Sequence, residues 1–125
     1  AAVQEPGKVN KYRNTPTTRV TPSGAIIRFD SMKEARRFDW LIERERRGEI
    51  RELRLQVDFT LQEAYTDTEG RRVRAIRYRA DFTYYEGAQG VKVVEDVKSR
   101  ATRTREYAMK KKMLKDRFGL EITEV

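Results

Sequence analysis

The chain contains no cysteine and no histidine. Without cysteine there is no disulfide framework, no thiol nucleophile, no iron–sulfur cluster and no zinc finger. Without histidine there is no Ser-His-Asp triad, no HExxH metalloprotease and no histidine general base. No apolar run approaches the ~20 residues of a membrane span, and no secretory signal is visible. These absences lead to the expectation of a soluble cytoplasmic protein with no membrane partner and no small-molecule cofactor. The chemistry left open to it uses carboxylates, lysines and a hard metal ion.

What the chain does have is charge. Its 125 residues fit one domain of ordinary size, large enough to bury a core without staples. Lys and Arg number 28 against 20 Asp and Glu, for a net charge of +8. The sequence pI of 9.9 fits a polyanionic partner, nucleic acid first. The excess is concentrated after Ser99. Arg100, Arg103, Arg105, Lys110, Lys111, Lys112, Lys115 and Arg117 face only Glu106 and Asp116 there. A solvated helix face explains such a run as readily as a phosphate-binding one.

Residues 1–24 read as a flexible basic N-terminal arm, and residues 25–125 as a single domain. A short strand over 25–29 has a candidate hairpin partner around Arg19 and Val20. Ser31 and Glu34 have capping-box spacing. Ala35, Phe38, Leu41 and Ile42 follow on one helical face, and Gly48 stops the helix. Trp40 lies off that face. Alternation then puts Leu53, Leu55, Val57, Phe59 and Leu61 on one side of a strand, with Gln56, Asp58 and Thr60 on the other. A turn at 67–70 leads to a second strand. Ile76, Tyr78, Ala80, Phe82 and Tyr84 share one of its faces; Arg77, Arg79, Asp81 and Thr83 share the other. After a turn at 87–90, the third strand sets Asp96 with Lys92, Val94 and Lys98, and Glu95 with three valines. Thr102 or Thr104 caps a second helix with a Tyr107, Leu114 and Phe118 stripe, ending at Gly119. Residues 120–125 form a last strand. The expected fold class is α/β with an αβββαβ core. Its sheet is mixed and mainly antiparallel, flanked by helices, with the last strand crossing over to a parallel position.

Metal-assisted phosphodiester cleavage needs oxygen ligands, a more acidic attacking water and positive charge against the phosphate. Asp96 and Lys98 are two apart on a strand, so their side chains point the same way. Asp81, on the neighbouring strand, can converge on them. The plain alternative is a surface ion pair, since an Asp-x-Lys triplet arises by chance in a chain that is 38% charged. Gln56, on the polar side of the first core strand, is a helper candidate or an ordinary exposed residue. Lys111 flanks the apolar stripe of the second helix and is a second helper candidate, or a snorkelling surface lysine. Glu34 needs no role beyond its cap. Tyr107 reads as core.

The order of these elements resembles the PD-(D/E)xK, or restriction-endonuclease-like, nuclease superfamily. The matching stretches are Phe29–Ala35, Leu55–Phe59, Tyr78–Phe82 and Val94–Ser99. They look like a group of uncharacterised phage and prophage proteins predicted to be small nucleases. The layout is also similar to transposon endonuclease subunits and archaeal-type Holliday junction resolvases. The family's Pro before the strand Asp is replaced here by Ala80. The resemblance implies a restriction-endonuclease-like core in which Asp81 and Asp96 ligate Mg2+ or Mn2+. The backbone carbonyl of Val97 is a further ligand, and Glu34 approaches the metal directly or through water. Lys98 orients or helps deprotonate the attacking water. A helper on the second helix, where the family often has one, falls to Lys111.

Arg77, Arg79, Arg100, Arg103, Arg105, Lys110 and Lys112 are candidates for phosphate contacts, which give affinity and salt dependence but little sequence reading. The expected activity is metal-dependent hydrolysis of DNA in phage or mobile-element DNA processing. A chain too short for a separate specificity domain suits branched or junction DNA, and a homodimer suits cutting two strands. Two alternatives compete: a non-catalytic nucleic-acid-binding domain, and a phage structural or scaffolding protein with a basic interaction face.

Overall fold

In a computed structural model, residues 16–98 and 104–125 are described. Residues 1–15, Arg100, Arg103 and the cap candidate Thr102 lie outside the described residues. The described residues divide into two compact units, one ending at Trp40 and one starting at Leu41.

In the first unit, β1 (Thr17–Val20) and β2 (Ile26–Phe29) pair antiparallel, from Thr17↔Phe29 to Val20↔Ile26. Helix α1 (Met32–Arg46) begins here with Glu34 N–H donating to Ser31 Oγ at 3.2 Å, the expected cap. An aromatic contact and an ion pair help to hold the ribbon to the start of α1. The Phe29 and Phe38 rings lie 5.2 Å apart, and Arg19 Nε donates to Asp39 Oδ1 at 2.9 Å.

In the second unit, α1 ends in a Schellman motif. Gly48, at φ 78, donates to the Glu45 carbonyl, and Glu49 N–H donates to the Arg44 carbonyl. The sheet contains β3 (Ile50–Gln62), β6 (Ile76–Glu86), β7 (Val91–Asp96) and β8 (Ile122–Glu124), in that spatial order. β3, β6 and β7 form an antiparallel meander, and β8 lies parallel to β7. Between β3 and β6, β4 (Tyr65–Thr66) and β5 (Arg72–Val73) make a small paired arm around the 67–70 turn. Asp67 Oδ1 accepts there from the Glu69 and Arg71 amides, which is turn chemistry written in the sequence.

Helix α2 (Arg105–Phe118) is capped by Thr104, whose side chain accepts from Tyr107 N–H at 3.1 Å. It stops at Gly119, which is left-handed at φ 69 and donates to the Lys115 carbonyl. Its buried Tyr107 and Leu114 pack with Phe59, Leu61, Tyr78, Ala80, Val94 and Ile122. Phe118, expected in the same stripe, is 43% exposed, with its ring edge-on to Phe59. The chain is thus a mixed α/β protein with a mainly antiparallel sheet and two helices, as the sequence pattern predicts.

Strict alternation fails around Asp81. Ala80 and Tyr78 share a cluster with Val94, and Val94 pairs with Thr83. Thr83 therefore lies on the face of Ala80, although the two are three residues apart. The phase of β6 inverts between them. β3 inverts beside it, between Val57, opposite Ala80, and Leu55, opposite Phe82. Between those two positions of β3 lies Gln56, a non-glycine residue at φ 52; Glu52, nearer the start of the strand, is at φ 54. In register, Gln56 stands opposite Asp81. Beyond this point Phe82, Thr83 and Tyr84 are buried in succession, as are Val94, Glu95 and Asp96, so both faces are covered.

Candidate active site

The inversion lets two tyrosines of one sequence face serve two sides of the sheet. Tyr84 OH donates to Glu95, and Tyr78 OH donates to Asp96 Oδ2 at 2.7 Å. Glu95 and Asp96 are consecutive and point opposite ways, so each buried carboxylate obtains its own hydroxyl. Burial, and next the Asp96 carboxylate, push the Tyr78 hydroxyl well above its usual value; Asp81 adds to the effect. Tyr78 therefore stays protonated and donates, and both aspartates lie within electrostatic reach of it.

Pairing of β6 with β7 ends at Phe82↔Glu95. One step further, the Asp81 side chain takes over from the ladder: its Oδ2 accepts from Val97 N–H at 2.7 Å. On the other edge, the Asp96 carbonyl accepts from Val125 N–H at 3.1 Å, and Lys98 N–H donates to the Val125 carbonyl at 3.2 Å. Strand alternation therefore turns both polar groups of Val97 toward the Asp81 side. The Val97 carbonyl and the Asp81 carboxylate share one edge.

Lys98 Nζ sits 3.2 Å from Asp96 Oδ2, and both contacts of Asp96 use this one oxygen. The pair is well removed from water, with side chains 14% and 6% exposed. A buried ion pair is stable only when further contacts offset its desolvation. Tyr78 supplies one for the carboxylate. The Tyr107 ring supplies one for the ammonium, which lies 4.0 Å from the ring centroid. Tyr107 OH donates to Glu124 Oε2 at 2.6 Å, and Lys111 Nζ reaches the same oxygen at 3.4 Å.

Asp81, Asp96, Val97 and Lys98 are thus brought to one strand end. Gln56 is exposed, opposite Asp81. Lys111 is engaged by Glu124. Glu34 stands in the first turn of α1, in the first unit. Arg77 and Arg79 are not brought to this side. They alternate with Tyr78 and Ala80, and so project from the opposite face. Arg79 there donates to both oxygens of Asp58 at 2.9 and 3.1 Å and holds that carboxyl below its usual value. Arg105 and Lys112 are exposed on α2, and Lys110 pairs with Glu106 at 3.0 Å. Lys111, Lys112 and Lys115 line a groove of about 790 Å3 with Ala108, Glu121, Ile122 and Thr123.

Sequence reasoning missed Tyr78 and Glu124. A tyrosine on an apolar strand face carries a hydroxyl that needs a partner, which was the available signal for Tyr78. Glu124 had none, because its place beside Asp96 depends on the β7–β8 register.

Among the described residues, no cluster of three or more Asp, Glu, His or Cys forms a metal cage. No helix among them is long and apolar enough to cross a membrane. The fold and strand end define an α/β protein with a carboxylate–lysine site. A family described as a protein of unknown function, DUF1064, matches residues 10–123, and the chain belongs to that family. No curated protein and no solved structure matches the chain.

Proposed function

We propose that this chain is a metal-dependent DNA endonuclease of the PD-(D/E)xK type, acting on branched or junction DNA. The observation that carries the reading is the gathering of the Asp81 carboxylate, the Val97 backbone, the Asp96 carboxylate and the Lys98 ammonium at one strand end. The donor set suits a small hard cation. It offers two carboxylates and one carbonyl oxygen and no soft ligand, and Mg2+ needs only one or two carboxylates because it keeps several waters. Asp81, Asp96 and the Val97 carbonyl would hold Mg2+ or Mn2+. The ion, when bound, supplies charge neutralisation at the phosphate and a more acidic attacking water.

The residues of the chain do the rest. Lys98 sets its ammonium beside the Asp96 carboxylate, where it can offset charge building on a phosphate oxygen. Tyr78 holds Asp96 in one orientation. Arg105, Lys110 and Lys112 on α2 give non-specific phosphate contacts, extended by Arg100 and Arg103. In this reading the protein works in the cytoplasm of a bacterial host on phage or mobile-element DNA, and a homodimer would cut both strands.

The test is cleavage of duplex, single-stranded, flap and four-way-junction DNA with Mg2+ or Mn2+, alongside Asp96→Ala and Lys98→Ala. The expected result is junction or flap cleavage by wild type, lost in both variants. Salt-sensitive binding with every substrate left intact would hand the case to a non-catalytic binding domain. No affinity beyond that of any basic protein would favour the scaffolding alternative.

A further inference from the structure

We propose that Glu124 and Tyr107 are positioning residues that hold the Lys98 ammonium in place, an inference that rests on the nuclease reading above. An ammonium on a four-carbon stem has many rotamers, and a charge that must meet a phosphate oxygen has to be fixed beforehand. Two of the contacts that fix Lys98 are in view. Asp96 Oδ2 lies 3.2 Å from Nζ, and the Tyr107 ring centroid lies 4.0 Å from it. The carboxylate sets direction, while the ring face sets depth through its attraction for the cation.

The ring is itself held at both ends. Tyr107 N–H donates to the Thr104 cap at 3.1 Å, and its hydroxyl donates to Glu124 Oε2 at 2.6 Å. Glu124 is in register with Asp96 on the parallel strand and receives Lys111 Nζ at 3.4 Å. The residue after it, Val125, bonds the Asp96 carbonyl and the Lys98 amide. One strand thus grips the Asp96–Lys98 segment twice: by backbone directly, and by the Glu124 side chain through Tyr107. A phenol that donates to a carboxylate also gains electron density on its ring, which strengthens the ring's hold on the ammonium. Lys111 then acts on Glu124 and not on substrate.

The test uses the full chain as wild type, Glu124→Gln, Glu124→Ala, Tyr107→Phe and the Glu124→Ala/Tyr107→Phe double variant. In cleavage of junction DNA, Glu124→Ala and Tyr107→Phe should each lower kcat about tenfold while KM stays within about twofold. Glu124→Gln keeps an acceptor and should recover most of kcat. The double variant should be no worse than either single one, since both cut the same bond. If Glu124→Ala melts below the assay temperature, Tyr107→Phe cuts that bond from its other end.

A second readout needs no activity. The Lys98 methylene protons next to the ammonium should resonate upfield in wild type because the nitrogen they adjoin sits over the Tyr107 ring. They should move toward ordinary values in Glu124→Ala but not in Glu124→Gln. If wild type cleaves nothing, the nuclease reading fails and these resonances alone decide the positioning. An unshifted Lys98 in wild type overturns the proposal. So does a shift or a kcat that Glu124→Ala leaves unchanged, or additive losses in the double variant.

Discussion

Replacing Tyr78 by Phe removes a single hydroxyl and keeps the ring against Phe59 and Tyr107. The lost group donates at 2.7 Å to a carboxylate on a residue that is 4% exposed. Hydrogen bonds to charged groups contribute about 1.5–3 kcal/mol, and water cannot easily replace this one. Lys98 still faces Asp96, so the carboxylate is not orphaned, and a loss of about 2 kcal/mol is expected. For a domain of this size that lowers the melting temperature by roughly 6–9 °C. In urea the midpoint should fall by about 1 M with the slope unchanged. The sharper measurement is a double-mutant cycle with Asp96→Asn, where Tyr78 faces a neutral acceptor and its removal should cost about half as much. A Tyr78→Phe variant within about 0.5 kcal/mol of wild type, or equally costly in both backgrounds, would refute the account of the strand end.

Three further outcomes follow from the same contacts. Mg2+ at about a hundredfold its dissociation constant should stabilise wild type by about 2.7 kcal/mol, seen as a rise in melting temperature. Asp81→Asn and Asp96→Asn should abolish that rise, and a wild-type melt indifferent to Mg2+ and Mn2+ would count against the metal reading. Leu114→Ala empties a fully buried position between α2 and the sheet and should cost about 2–5 kcal/mol in urea unfolding. Asp58→Asn should lower the melting temperature slightly at neutral pH. Arg79 depresses the folded-state pKa of Asp58 below 3.8, so the pair stabilises above that value and loses its effect as pH falls through the folded pKa. The gap between wild type and variant should therefore close in acid, and a gap that widened would reverse the sign of the argument.

The parts of the fold that were legible in the sequence are those set by local chemistry. Ser31, Gly48, Thr104 and Gly119 bound the two helices because a side-chain oxygen or a left-handed glycine satisfies the helix end where it stands. The Asp67 turn and the glycines at 87 and 90 make the meander for the same reason. Alternation failed at Gln56, because nothing in a glutamine announces φ 52. The inversion beside it separates Asp81 from Arg77 and Arg79, which plain alternation groups together. Asp96 and Lys98 were legible as a same-side pair because two strand positions suffice to align them. Their surroundings were not, since Tyr107 and Glu124 arrive through packing of α2 and the β7–β8 register.

The bond between the Asp81 carboxylate and the Val97 amide has a dynamic consequence. Most sheet amides exchange with solvent only when neighbouring strands part. The Val97 amide is guarded by a side chain, so it exchanges whenever that carboxylate swings away, with the strands still paired. Its exchange rate is then a clock for Asp81 alone. Any ligand that draws both Asp81 oxygens toward itself will make Val97 exchange faster while the sheet around it stays protected.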